Sequence, residues 1–166
     1  MVYLDKKEKG FTLIELLIVM AIIALLLSIV SVGLRNATMQ AKEITRITDL
    51  RSIKLALDAY FIENYSYPNS LGGAGEWDGL YSCWGDADTN WIPGLVPEYM
   101  GLLPKDPRNN DVCGEQYIYK SDGADYKLLA YNPTDCSWVV TRYPNLADPV
   151  RDCWAYGYWT TGAVSW

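Results

Sequence analysis

Residues 11–34 read FTLIELLIVMAIIALLLSIVSVGL, twenty-four positions with one charge, Glu15. As a helix rising 1.5 Å per residue, this run is about 36 Å long, enough to cross a hydrocarbon core of about 30 Å. Ahead of it stands MVYLDKKEKG, with Lys6, Lys7 and Lys9 gathered against the apolar edge. By the positive-inside rule this leader stays in the cytoplasm and everything after Leu34 faces outward. The run is longer than the apolar region of a cleavable secretory signal, and Arg35-Asn36-Ala37 behind it is a poor small-x-small cleavage site. A plain signal anchor is the simpler alternative, and Glu15 speaks against it. A carboxylate one turn inside the apolar run is costly unless it is paired or close to the interface.

The rest of the composition narrows the function. The chain has 166 residues, suited to one domain with little left over, and half of them are hydrophobic. It carries a net charge of −6 and a pI of about 4.6, which argues against a protein that coats nucleic acid. It contains no histidine. That removes Ser-His-Asp and Cys-His nucleophile pairs and His-ligated zinc, so the sequence does not read as an enzyme. Tyrosine (13) and tryptophan (7) far outnumber phenylalanine (2), a bias toward aromatic rings with a polar end.

The segment Lys9-Gly10-Phe11-Thr12-Leu13-Ile14-Glu15-Leu16 resembles the processing motif of type IV pilins and the pseudopilins of type II secretion. The basic leader and apolar helix extend the likeness to about residue 34. The resemblance implies that a prepilin peptidase/methyltransferase cuts between Gly10 and Phe11 and N-methylates the new amino group of Phe11. It implies an α+β, pilin-like fold: a long N-terminal helix packed on a small antiparallel sheet, with long loops and disulfides. Its implied partners are copies of the chain itself in a helical filament, an inner-membrane assembly platform, and the lipid bilayer before assembly. Glu15 then pairs with the Phe11 ammonium of a neighbouring subunit. Such a pair is tolerable among packed helices where either lone charge is not, and it fixes register. One departure stands out. Ala24 and Val32 occupy places where many relatives have a helix-breaking Gly or Pro, which puts local melting of this helix in doubt.

No Pro or Gly occurs between residues 35 and 65. Ile44, Ile47, Leu50, Ile53, Leu57 and Tyr60 recur at steps of three or four, an amphipathic stripe, with Arg35, Lys42, Glu43, Arg46, Asp49, Arg51 and Asp58 on the other faces. A single helix over residues 11–64 has a length of about 80 Å, suited to bundling with copies of itself. Four segments result: a cleaved leader (1–10), a membrane and assembly helix (11–34), its amphipathic extension (35–65), and a head (66–166). Residues 66–115 read as a mostly irregular connection with a short helix near 97–102. Strands are expected at 116–120, 125–131 and 138–142, the first two joined at Ser121-Asp122-Gly123. Tyr67-Pro68, and Leu103-Pro-Lys-Asp-Pro107 leading into Tyr117-Ile-Tyr119, further resemble the heads of major pseudopilins.

All four cysteines fall where the topology places them outside the cytoplasm, so two disulfides are expected. Of the three connectivities, Cys83–Cys113 and Cys136–Cys153 require least prior structure. No organic cofactor is expected. Two acidic clusters are candidate calcium sites: Asp86, Asp88 and Asn90, and Asp122 with Asp125. Solvated turn aspartates are the alternative, and Trp91 and Pro97 stand where a calcium loop needs a glycine and an acid. In a strand, Trp154, Tyr156 and Tyr158 fall on one face, either covering the head's core or forming an aromatic platform for glycans, single-stranded bases or a surface. Past Tyr60, six Lys/Arg face fourteen Asp/Glu, a net of −8, which disfavours nucleic acid unless a patch around Arg142 and Arg151 offsets it.

The sequence therefore reads first as the structural subunit of a type IV pilus-like filament. It starts in the cytoplasmic membrane with its N-terminus inside and ends in an extracellular pilus or a periplasmic pseudopilus. The alternatives are a major pseudopilin of type II secretion, or a minor pilin serving as an adhesin or DNA receptor.

Overall fold

The computed structural model describes residues 10–72, 76–81, 88–108 and 114–166, with the side chains of all but 29–33. It contains two compact units, one ending at Thr38 and the other Met39–Trp166. Helix α1, Leu13–Asn64, runs from the first into the second, as the absence of Pro and Gly after residue 34 permits. It ends at Tyr65, whose φ of 55° breaks the helical path while its amide still reaches the Phe61 carbonyl at 2.8 Å. Pro68 follows closely.

In the first unit every described side chain from residue 11 to residue 28 is exposed. Among the described residues no helix is long and apolar enough to cross a membrane. The expected span at 11–34 includes residues 29–33, which lie outside the described side chains.

The second unit is built on a five-stranded antiparallel sheet of order β1-β2-β3-β5-β4. Its strands are β1 (Trp77–Gly79), β2 (Gln116–Ser121), β3 (Tyr126–Tyr131), β4 (Ala147–Asp148) and β5 (Asp152–Trp159). The β2–β3 hairpin falls where the turn signal placed it. Asp122 Oδ1 accepts from the amides of Ala124 and Asp125 at 3.0 and 2.9 Å, and Gly123 supplies the φ of 88° that the turn needs.

Residues 138–142, expected as a strand, belong instead to helix α2 (Cys136–Arg142). Val139, Val140 and Thr141 are strand formers by type, but Asp135 caps the segment, accepting from the Trp138 amide at 3.1 Å and from Ser137 Oγ at 2.8 Å. Residues 93–99 form successive turns rather than the short helix expected near 97–102. The short edge strands β1 and β4 were not anticipated, since two or three residues leave no period to detect.

Leu50, Ile53 and Leu57 of α1 are fully buried in one core with Tyr117, Tyr119, Tyr126, Leu128 and Tyr156 of the sheet. The amphipathic stripe thus packs as its period predicts, except that Ile44 is 43 % exposed. The long connection joins the same core through Trp91, Ile92 and Leu95. A second, smaller cluster of Ile118, Leu129 and Ala155 lies beneath Trp77, Tyr131 and Trp159. By strand alternation these residues point away from the α1 side.

The expected shared face of Trp154, Tyr156 and Tyr158 holds only for the two tyrosines, which join the main core. Ala147 pairs with Tyr156 but Asp148 pairs with Asp152, a register shift between β4 and β5. Such an irregularity re-aims a side chain, and Trp154 instead lines a cleft with Trp77, Ile118 and Tyr131.

Candidate processing and assembly site

The segment 10–12 precedes the helix without regular structure, and Gly10 and Phe11 are both exposed, Phe11 by 85 %. A Cβ added at Gly10 would meet nothing within 4 Å. Among the described residues nothing there requires a glycine.

Thr12 caps α1. The Glu15 Oε2 oxygen accepts from the Thr12 amide at 2.8 Å and from Thr12 Oγ1 at 2.7 Å, while Thr12 Oγ1 accepts from the Glu15 amide at 3.3 Å. This reciprocal arrangement is the capping box written T-x-x-E, which satisfies amides that a helix start otherwise leaves open. Sequence reading treated Glu15 as an assembly residue and overlooked the cap, although Thr12 three positions before it is its standard signature. Phe11, Glu15, Leu16 and Val19 line a shallow depression of about 380 Å³ on one side of the helix start. Beyond it Leu13, Ile14, Leu17 and Met20 are 62–83 % exposed. A helix that is apolar all round has to be covered by lipid or by other helices. Burying each such side chain yields about 1.5–3 kcal/mol.

In the second unit, polar residues of α1 hold the helix to the head. Arg46 makes a two-pronged pair with Asp106, Nε to Oδ2 at 2.7 Å and Nη2 to Oδ1 at 2.8 Å. Its Nη1 reaches Glu43 Oε1 at 2.7 Å and Thr134 Oγ1 at 3.0 Å. Glu43 also accepts from the Asp135 amide at 2.8 Å and from the Tyr156 hydroxyl at 2.6 Å. Glu43 and Arg46 are fully buried. The sequence reading put both on the outer faces of the helix; they are instead interior, because Asp106 and strand β5 supply partners that a helical pattern cannot reveal. Burial works against the Arg46 charge, but Asp106 and Glu43 outweigh it and keep the guanidinium protonated well beyond its ordinary range. Burial, then Glu43, pushes the Tyr156 hydroxyl far up, and burial, then Asp49, does the same to Tyr117.

Cys136 is buried at the start of α2, Cys153 is exposed near the start of β5, and both are thiols. They lie close enough for a side-chain hydrogen bond, and burial, then Cys153, raises the Cys136 thiol well above its usual range. Cys83 and Cys113 lie outside the described residues, as does Asp86. Asp88 Oδ1 accepts from the Asn90 amide at 2.8 Å and from Thr89 Oγ1 at 3.1 Å, and Asp125 Oδ1 from the Gly162 amide at 3.1 Å. With Asp122 closing its own turn, these carboxylates serve backbone geometry. Among the described residues no three His, Cys, Asp or Glu side chains come together as a metal site.

The model of the prokaryotic N-terminal methylation motif matches residues 5–31. The chain is similar to the type II secretion system core protein G of Escherichia coli strain K12, with 30 % identity over 134 residues, 76 % of this chain and 83 % of that protein. It is 33 % identical to the core protein G of Vibrio cholerae serotype O1 over 120 residues, 71 % of this chain and 74 % of that protein. Against the core protein G of Dickeya chrysanthemi the identity is 29 % over 134 residues, 78 % of this chain and 80 % of that protein. No solved structure matches the chain significantly.

Proposed function

We infer the role of this chain from the family it belongs to, the type IV pilins and type II secretion pseudopilins: it is the major pseudopilin of a type II protein secretion system. The observation that carries this choice is the extent of the similarity. The methylation motif is common to pilins and pseudopilins, but the likeness to core protein G covers 134 residues and so reaches well into the head. The pilus-like subunit read first from the sequence is the same kind of molecule, a structural unit that polymerises through its N-terminal helix.

The chain enters the cytoplasmic membrane with its basic leader inside, and prepilin peptidase cuts between Gly10 and Phe11. An exposed segment without regular structure at residues 10–12 suits a peptidase cleft, and the open space around Gly10 among the described residues is in keeping with a glycine selected by that cleft. After N-methylation of Phe11 the assembly platform draws subunits out of the bilayer. Their apolar helices then cover one another in a periplasmic pseudopilus. Glu15, held at the helix start by Thr12, meets the Phe11 ammonium of a neighbour and sets the register.

Deleting the gene in the source cells tests this. The expected result is that secreted proteins stay in the periplasm while surface pili are made at normal density. Normal secretion with loss of surface pili overturns the pseudopilin assignment in favour of a pilus subunit.

A further inference from the structure

We propose that the head carries a binding site for a neutral saccharide, in the cleft of the sheet face where Trp77, Tyr131 and Trp154 meet. The cleft holds about 470 Å³, within the range of small-molecule sites, and Ile118 contributes an apolar floor. Trp154 is 64 % exposed. Among the described residues it is the one exposed tryptophan, so much of its π face meets solvent. The puckered ring of a sugar offers a face of C–H groups that suits the negative face of an aromatic ring, bordered by hydroxyls that both donate and accept.

The rim supplies the complementary polar groups. Arg151 is held in place: its guanidinium lies 4.7 Å from the Trp77 ring centre, and Nη1 donates to Asp148 Oδ2 and to the Trp166 backbone oxygen, each at 2.8 Å. Its remaining N–H groups have no acceptor among the described residues. Asp152, beside it, is exposed, and its carboxylate makes no hydrogen bond or ion pair among the described residues. One fixed donor and one open acceptor side by side match a pair of vicinal hydroxyls, at little ordering cost on the protein side.

Charge separates this ligand from its rivals. The rim carries one cation and one anion, on a chain that past Tyr60 is net −8. A nucleic acid strand is repelled by that excess, and a cationic ligand finds Trp77 already covered by Arg151 and faced by Lys120 at 5.7 Å. A neutral, hydroxyl-rich ligand pays neither penalty. The site is independent of which filament the chain builds.

The test uses the full chain in lauryldimethylamine oxide, a detergent without a sugar headgroup, titrated separately with maltohexaose, cellohexaose and chitohexaose. Tryptophan emission and heat of binding are followed together. At least one sugar is expected to give a saturable response, weakened about tenfold or more by Trp154→Ala, in keeping with the loss of one stacking ring. Asp152→Asn, which removes the charge but no ring, is expected to weaken it less. It serves as the deciding variant if near-ultraviolet circular dichroism shows that Trp154→Ala disturbs the head. Absence of a saturable response up to about 10 mM of every sugar, beyond the millimolar range of weak recognition, overturns the proposal. So does sugar binding that neither variant changes, and so does oligo-dT binding lost in Trp154→Ala without any sugar response.

Discussion

The Glu15 carboxylate is hydrogen-bonded by both the amide and the hydroxyl of Thr12, at 2.8 and 2.7 Å through one oxygen, Oε2. The residue expected to join subunits therefore already has a role within its own chain. It closes the first turn of α1 and is held at the level where the new amino terminus arises. One side chain thus closes the helix start, and in the proposed assembly it also sets register.

Two substitutions separate these roles. Glu15→Ala is expected to insert in the membrane and be cut after Gly10, yet to enter filaments poorly. Thr12→Val keeps the charge and loses the two cap bonds made by the Thr12 hydroxyl, about 1 kcal/mol of helix-start stability, and is expected to assemble far better than Glu15→Ala. Chemical crosslinking of the envelope fraction into ladders of subunits, read by immunoblot, measures both. Normal incorporation of Glu15→Ala refutes the pairing role.

Arg46→Ala leaves Glu43 and Asp106 buried without their common partner. The expected loss is about 3–5 kcal/mol of head stability, measured by urea unfolding of the full chain in detergent. Replacing all three together by Arg46→Met, Glu43→Gln and Asp106→Asn is expected to recover most of it, because no unpaired charge then remains. Equal losses in both variants would show that packing, not charge, holds this contact.

Alkaline pH is a second lever on the head. Tyr117, Tyr119, Tyr126 and Tyr156 are each pushed far above the ordinary phenol range, with burial the largest cause in every case. Above about pH 10 the unfolded chain loses these protons and the folded chain keeps them, so unfolding is favoured. Each tyrosine contributes a fall of about 1.4 kcal/mol per pH unit once its unfolded form is ionised. Stability from urea unfolding should be level in this respect below pH 9 and drop steeply by pH 11. A flat profile across that interval contradicts the burial of these rings in one core.

In an oxidising compartment the adjacent thiols of Cys136 and Cys153 are expected to form a disulfide, contributing about 3 kcal/mol. Peptide mapping of the unreduced chain should recover this pair, leaving Cys83 to Cys113. Crossed pairs contradict it.

What the sequence displays and what it hides follow from range. The stripe Leu50, Ile53 and Leu57 and the Ser121-Asp122-Gly123 hairpin rest on neighbours within a few residues, and both appear where their periods place them. Helix α2 was misread because one cap at Asp135 outweighs three strand-forming side chains. The buried Glu43–Arg46 pair was invisible because its partners Asp106 and Tyr156 lie 60 and 113 positions away. Trp154 left its expected face through a register shift between strands, which no alternation within one strand records. At the candidate site, Gly10, Phe11 and Glu15 were legible from the motif, whereas the cap by Thr12 required asking where the first amides of the helix find acceptors.

The proposed function requires that the chain be processed at Gly10 and then assembled through the exposed helix. Intact mass and N-terminal sequencing of the protein in envelope and sheared-filament fractions of its source cells test it most directly. The expected chain begins at N-methyl-Phe11, is held in the envelope and is scarce among surface filaments. A membrane protein that still begins at Met1 would contradict it.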